Sequence, residues 1–167
     1  MNLDQIPPND IVLLDANIIL YALRGKSAQC KHLIRRCVER ETHGVITSHI
    51  LAEVSHRLMI AEAHDNGWTG GSNPARKLAE QPERVKVLNR YEQAVKSLLA
   101  TGIHIEPIVN EDFLMMLRVQ RESGLLSHDA LLIACAERLQ VQAIASADRQ
   151  LSVVRDLILY HPDDIAD

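Results

Sequence analysis

Ile11-Val12-Leu13-Leu14-Asp15-Ala16-Asn17-Ile18-Ile19-Leu20 is an apolar run interrupted only by Asp15, Ala16 and Asn17. Four apolar residues in succession suit a strand covered on both faces, as in a parallel sheet. Ending that strand on Asp15 sets a carboxylate at the carboxyl edge of the sheet, where open α/β folds bind ligands and metals. A buried carboxylate is costly unless it is paired or bound to a cation. The fold and function therefore turn on whether other segments send acids to the same edge.

Outward from this stretch, strands and helices alternate. A short helical turn is expected over Ile18–Leu23. Ser27 is placed to cap a helix running to about Thr42, with Cys30, Leu33, Ile34, Cys37 and Val38 on one face and Lys31, Arg35, Arg36 and Arg40 on the other. Val45–Thr47 reads as a second strand. Ser48 reads as the cap of a helix buried through Ile50, Leu51, Val54 and Leu58. From Ala63 to Pro82 the pattern dissolves into Asn66-Gly67 and Gly70-Gly71-Ser72-Asn73-Pro74, which is loop chemistry and predicts a flexible insertion. A helix over Pro82–Leu99, a strand at Ile103–Ile105 and a helix over Glu111–Glu122 follow. Then come a strongly apolar helix capped by Ser127 and ending near Leu139, and strands at Ala143–Ala145 and Leu157–Tyr160. Asp163, Asp164 and Asp167 read as an acidic tail. This alternation predicts an α/β fold, a three-layer α/β/α sandwich about a central parallel sheet.

The bulk numbers exclude several classes. The 167 residues fit one domain, and 3% aromatic content argues against base-stacking platforms. A net charge of −4 rules out nucleic-acid binding by bulk charge, leaving a local basic patch or a metal to supply it. The three cysteines carry no C-x-x-C spacing and read as reduced core residues of a cytoplasmic protein. No apolar run is long enough for a membrane span, and Met1–Asp10 lacks the features of a signal peptide.

Three more acids stand where the predicted topology can bring them to Asp15. Glu53 lies in the helix after the second strand, Asp129 in the first turn of the apolar helix, and Asp148 three residues after Ala145. Each alone has a bland reading: first-turn acids such as Asp129 and Asp148 favour the helix dipole, and Glu53 suits a solvated helix face. Together, four carboxylates in one crevice repel one another unless a cation neutralises them. An all-oxygen set suits Mg²⁺ or Mn²⁺, and such ions activate water and stabilise leaving oxygens in phosphodiester cleavage.

Four motifs stand in order: Leu14-Asp15-Ala16-Asn17, Thr47-Ser48-His49-Ile50-Leu51-Ala52-Glu53-Val54, Ser127-His128-Asp129-Ala130-Leu131-Leu132-Ile133-Ala134-Cys135-Ala136 and Ser146-Ala147-Asp148. Together they resemble those of the PIN domain, a nuclease family that includes VapC-type toxins. The resemblance covers about residues 11–160. It implies a single PIN-like domain over 1–167 and Mg²⁺ or Mn²⁺ at Asp15, Glu53, Asp129 and Asp148, with Asn17 and Ser146 as supporting polar residues. It also implies cleavage of RNA, a setting in a type II toxin–antitoxin pair with a small antitoxin partner, and a homodimer. Gln150 and Leu151 stand where the fourth motif often continues with Asp and Phe, and the 63–82 insertion is longer than in compact toxins. Other readings are a PIN-like RNA-binding or scaffold module without turnover, and an aspartyl phosphatase, which Asn17 in place of a second acid disfavours.

The eight histidines show no zinc spacing and read as surface or cap residues; His128, beside Asp129, is weighed as a phosphate contact against a structural role. The basic residues Arg24, Lys26, Lys31 and Arg35 read as a solvated face or, alternatively, as an RNA-backbone grip, to which Arg76, Lys77, Arg84 and Lys86 can add.

Overall fold

The computed structural model describes residues 1–165. In chain order the elements are β1 (Ile11–Leu14), α1 (Ala16–Leu23), α2 (Ala28–Val38), β2 (His43–Thr47), α3 (Ser48–Asp65), α4 (Pro74–Ala79), α5 (Pro82–Val85), α6 (Arg90–Ala100), β3 (His104–Glu106), α7 (Asn110–Ser123), α8 (Ser127–Arg138), β4 (Ala143–Ala145) and β5 (Ile158–Tyr160). Single 3₁₀ turns occupy Leu3–Gln5 and Arg149–Val153.

The strands form one sheet in the order β3-β2-β1-β4-β5, with every pairing parallel. From β1 to β3 the chain steps one way across the sheet; from β3 to β4 it crosses back over β2 and β1. Right-handed crossovers therefore put α7 and α8 on the face opposite the earlier helices. The packing agrees: α1, α2, α3 and α6 contact one another, and α7 packs on α8. β1 is central, and Val12, Leu13 and Leu14 are fully buried. Gly44 of β2 lets α2 pack tightly on the sheet, since an added Cβ there would lie 2.7 Å from Cys37 Sγ. The three cysteines are free and buried, and among the described residues no helix is long and apolar enough to cross a membrane.

Several expectations are corrected. The segment expected as loop from Ala63 to Pro82 is partly helical: α3 runs on to Asp65, and α4 is anchored through Leu78, which packs with Ala63 and Leu88. The helix expected over Pro82–Leu99 is broken between α5 and α6 because the buried Glu62 carboxylate accepts hydrogen bonds from the N–H groups of Asn89, Arg90 and Tyr91, starting a new helix there. Ser27 does cap α2, but Thr47 and Leu126, not Ser48 and Ser127, occupy the caps of α3 and α8. Arg36, expected on a solvated face, is buried, donating to Glu41 and to the carbonyl of Ile6. Asp164, expected in an acidic tail, accepts from Ser27 Oγ and from the N–H groups of Ala28 and Gln29 at the start of α2. Asp167 lies outside the described residues.

Candidate functional site

The strand order reverses between β1 and β4, and such a switch point opens a crevice at the carboxyl ends of the two strands. The Asp15 N–H donates to Ala145 O across this gap (3.0 Å), so the ends of β1 and β4 are joined there. Asp15 is only 7% exposed. Its Oδ1 accepts from the Ala16 N–H (2.6 Å), capping α1, and its Oδ2 accepts from Asn17 Nδ2 and Ser146 Oγ (2.5 Å each). Asn17 Oδ1 in turn accepts from the Ala147 N–H, and Ser146 Oγ from the Asp148 N–H (2.9 Å each). The motif Asp15-Ala16-Asn17 is thereby tied to Ser146-Ala147-Asp148 by side-chain bonds that hold Asp15 in one orientation.

The other acids arrive from separate elements. Glu53 comes from the second turn of α3, Asp129 from the first turn of α8, and Asp148 from the cap of the 3₁₀ turn after β4, where its Oδ1 accepts from the Gln150 N–H (2.8 Å). All four line one open cleft of about 500 Å³, with Asn17 at its wall. Ser146 is buried behind Asp15 rather than lining the cleft.

Their charges share one field. Burial pushes the Asp15 carboxyl above its ordinary range; Ser146 and the Ala16 N–H pull it back, and the charges of Glu53 and Asp129 push it further. Asp129 is raised by burial and then by Asp148 and Glu53. Glu53 pairs with basic side chains, Arg57 Nη1 and His128 Nδ1 (3.3 Å each), and the His128 charge also pulls Asp129 down. Among the described residues no basic side chain forms an ion pair with Asp15, Asp129 or Asp148.

A donor set made only of carboxylate and amide oxygens suits a hard divalent cation. Among the described residues no three His, Cys, Asp or Glu side chains stand close enough together to hold a metal ion. An open arrangement fits Mg²⁺, which keeps several waters and takes few protein ligands.

Residues that the sequence reading sets aside, and one it does not single out, Arg57, also line the cleft. His128 sits at its rim, and His56 and Arg57 follow Glu53 by three and four positions on the same helix face. That spacing from Glu53 was the available signal. His49, expected at a surface or a cap, is half-buried with Nδ1 3.0 Å from Thr47 Oγ1; burial, then His128, push its imidazole down to about 4, so it is neutral at pH 7. Of the expected RNA-contact residues, Lys26, Lys31 and Arg35 do not line the cleft, whereas Arg24 lines a groove that adjoins it.

The fold and cleft define an α/β protein that gathers four carboxylates at the switch point of a parallel sheet. The model of the PIN domain matches residues 12–157, and the chain belongs to that family. Its fold is similar to VapBC2 from Rickettsia felis, solved bound to a promoter DNA fragment (TM-score 0.59, 14% identity, covering 92% of this chain and 99% of that one). It is similar to a toxin–antitoxin complex from Klebsiella pneumoniae (0.57, 15%, covering 88% and 95%). It is also similar to a protein of Pyrobaculum aerophilum (0.55, 20%, covering 90% and 89%). No curated protein sequence matches the chain.

Proposed function

We propose that the chain is a Mg²⁺- or Mn²⁺-dependent endoribonuclease, with Asp15, Glu53, Asp129 and Asp148 holding the metal. One observation carries this reading: four carboxylates from four elements line one cleft, and three of them have no basic partner among the described residues. An acid set left in mutual repulsion is matched to a cation from solution. When bound, such an ion lowers the pKa of an attacking water and stabilises charge building on a phosphodiester.

The chain's own groups do the positioning. Asn17 and Ser146 donate to Asp15 and fix its carboxylate. Arg57 and His128 hold Glu53 and present donors at the rim, where a phosphate group would pass.

A role as the toxin of a type II pair belongs to the same proposal, supported by family membership and by a fold shared with the Rickettsia and Klebsiella complexes. A small antitoxin over the cleft, a homodimer and a cytoplasmic setting are the partners and place that it brings.

The test is cleavage of single-stranded RNA by the purified chain with Mg²⁺ or Mn²⁺. Asp15→Asn is expected to slow cleavage by about 10²–10³-fold, the scale seen on removing one preorganised electrostatic group, while the variant still melts cooperatively. Wild-type protein that cuts no RNA with either ion, and binds neither by calorimetry, would instead be an inactive PIN-like module.

A further inference from the structure

The acidic cleft does not end at Glu53. A second groove, of about 370 Å³, shares His56 and Arg57 with it and runs on between α3, the end of α1 and the start of α4. Its floor is a single stripe of α3. Glu53, His56, Arg57, Ile60, Ala61 and His64 follow the i, i+3, i+4, i+7, i+8, i+11 spacing of one helix face, reaching about 16 Å from Glu53 at 1.5 Å per residue. Arg24 forms one wall, and Pro74 and Ala75 of α4 form the other. That far wall is a packed part of the fold, since Leu78 of α4 is 2% exposed against Ala63 and Leu88. The groove presents two guanidinium groups, two imidazoles and an apolar floor, and no carboxylate lines it. Of the cations here, Arg57 also pairs with Glu53, Arg76 pairs with Glu80, and Lys77 donates to the Gly70 carbonyl, whereas Arg24 forms no ion pair among the described residues.

We infer that this groove is the track along which a single-stranded RNA leaves the cleft, its phosphates on Arg57 and Arg24 and its bases against His56, Ile60, His64 and Pro74. The inference rests on the ribonuclease reading and adds the strand's path to it. Two features favour RNA. The groove opens directly from the carboxylates, and its sign is opposite to theirs, so a polyanion cut at the acids is held beside them. Imidazole and guanidinium planes over small apolar residues also suit unstacked bases, which need no large aromatic platform. The structure thus selects Arg24 from the four basic residues expected at an RNA backbone. Lys26, Lys31 and Arg35 line neither the cleft nor the groove. The insertion gains a role as the wall that makes a track from an exposed helix face.

The experiment is fluorescence anisotropy of labelled RNA with the full chain carrying Asp15→Asn, so that RNA stays intact, with and without Arg24→Gln plus His64→Ala. Both added substitutions are at exposed positions, and melting curves check the fold. The groove pair is expected to weaken a dodecamer about tenfold and to lower the salt slope by about 0.7, the share of one phosphate contact on a single strand. A trinucleotide confined to the cleft should bind equally to both proteins. In the active chain the same pair should raise KM for the dodecamer with kcat kept, the mark of lost uniform binding. Lys31→Gln plus Arg35→Gln should change neither. A groove variant that binds and cuts the dodecamer like the wild type, with the same salt slope, overturns the track alone. If that variant instead loses only a co-expressed partner protein, the groove belongs to a protein and the track is equally overturned. A wild-type chain that neither binds nor cuts RNA sinks the ribonuclease reading and the track together.

Discussion

Two clusters of acids lie near the carboxyl edge of the same sheet and are handled in opposite ways. Beyond β3, Arg138 donates to Asp112 Oδ1 (2.6 Å), Glu106 Oε1 (2.8 Å) and the Pro107 carbonyl (3.2 Å), and the Val109 N–H donates to Asp112 Oδ2 (2.9 Å). Burial alone would raise Asp112, but Arg138 and the Val109 N–H outweigh it and hold the carboxyl below its usual range. Glu106 is held low by His104 and Arg138. Between β1 and β4 the balance reverses. Asp15 has neutral donors but no cation, and it and Asp129 are pushed up by burial and by each other's neighbours. The acids beyond β3 find their counter-charge in the chain; Asp15, Asp129 and Asp148 form no ion pair among the described residues, which is the basis of the metal proposal.

The largest expected effect comes from breaking the neutralised cluster. Arg138→Met leaves Asp112, fully buried, without its partner, and should lower stability by about 3–5 kcal/mol, the cost typical of an orphaned buried charge. Denaturant unfolding measures it. A loss comparable to an exposed pair would erase the distinction between the two clusters.

A subtler contrast lies in pH. Asp15 has a folded pKa above its unfolded value, so its contribution favours the fold below the ordinary carboxylate range and is lost as pH rises through the folded value. Asp112 and Glu106, with depressed values, contribute stability above that range and lose it as pH falls. In metal-free protein, the stability of Asp15→Asn relative to wild type should therefore grow as pH rises from about 4 to 7. Thermal melts across that window check the sign, and a difference that shrinks with rising pH contradicts the electrostatics assigned to the cleft.

How much of this was legible in the sequence differs between the clusters. Asp15 was visible because it ends a fully apolar strand, and Glu53, Asp129 and Asp148 because they hold fixed places after a strand or within a helix turn. Ser27 was legible as a cap for the same local reason. The neutralised cluster was not legible. Asp112 looks like any first-turn acid, and its partner Arg138 comes from another helix, 26 positions on. Arg36 and Asp164 are not legible because their partners, the Ile6 carbonyl and the start of α2, lie 30 and 136 positions away, which periodicity cannot pair. The strand order, which sets the crevice between β1 and β4, is likewise non-local. His56 reads from sequence as a surface residue and Arg57 draws no notice, although both follow Glu53 at helical spacing.

The central proposal is that the carboxylates of the β1–β4 cleft bind a divalent cation from solvent. Calorimetric titration of Mn²⁺ into the metal-free chain at neutral pH tests it most directly. The account predicts saturable binding, abolished in Asp15→Asn and accompanied by a rise in Tm that grows with Mn²⁺ concentration. A wild-type chain that takes up no Mn²⁺ or Mg²⁺, or an Asp15→Asn variant that binds as tightly as the wild type, would contradict it.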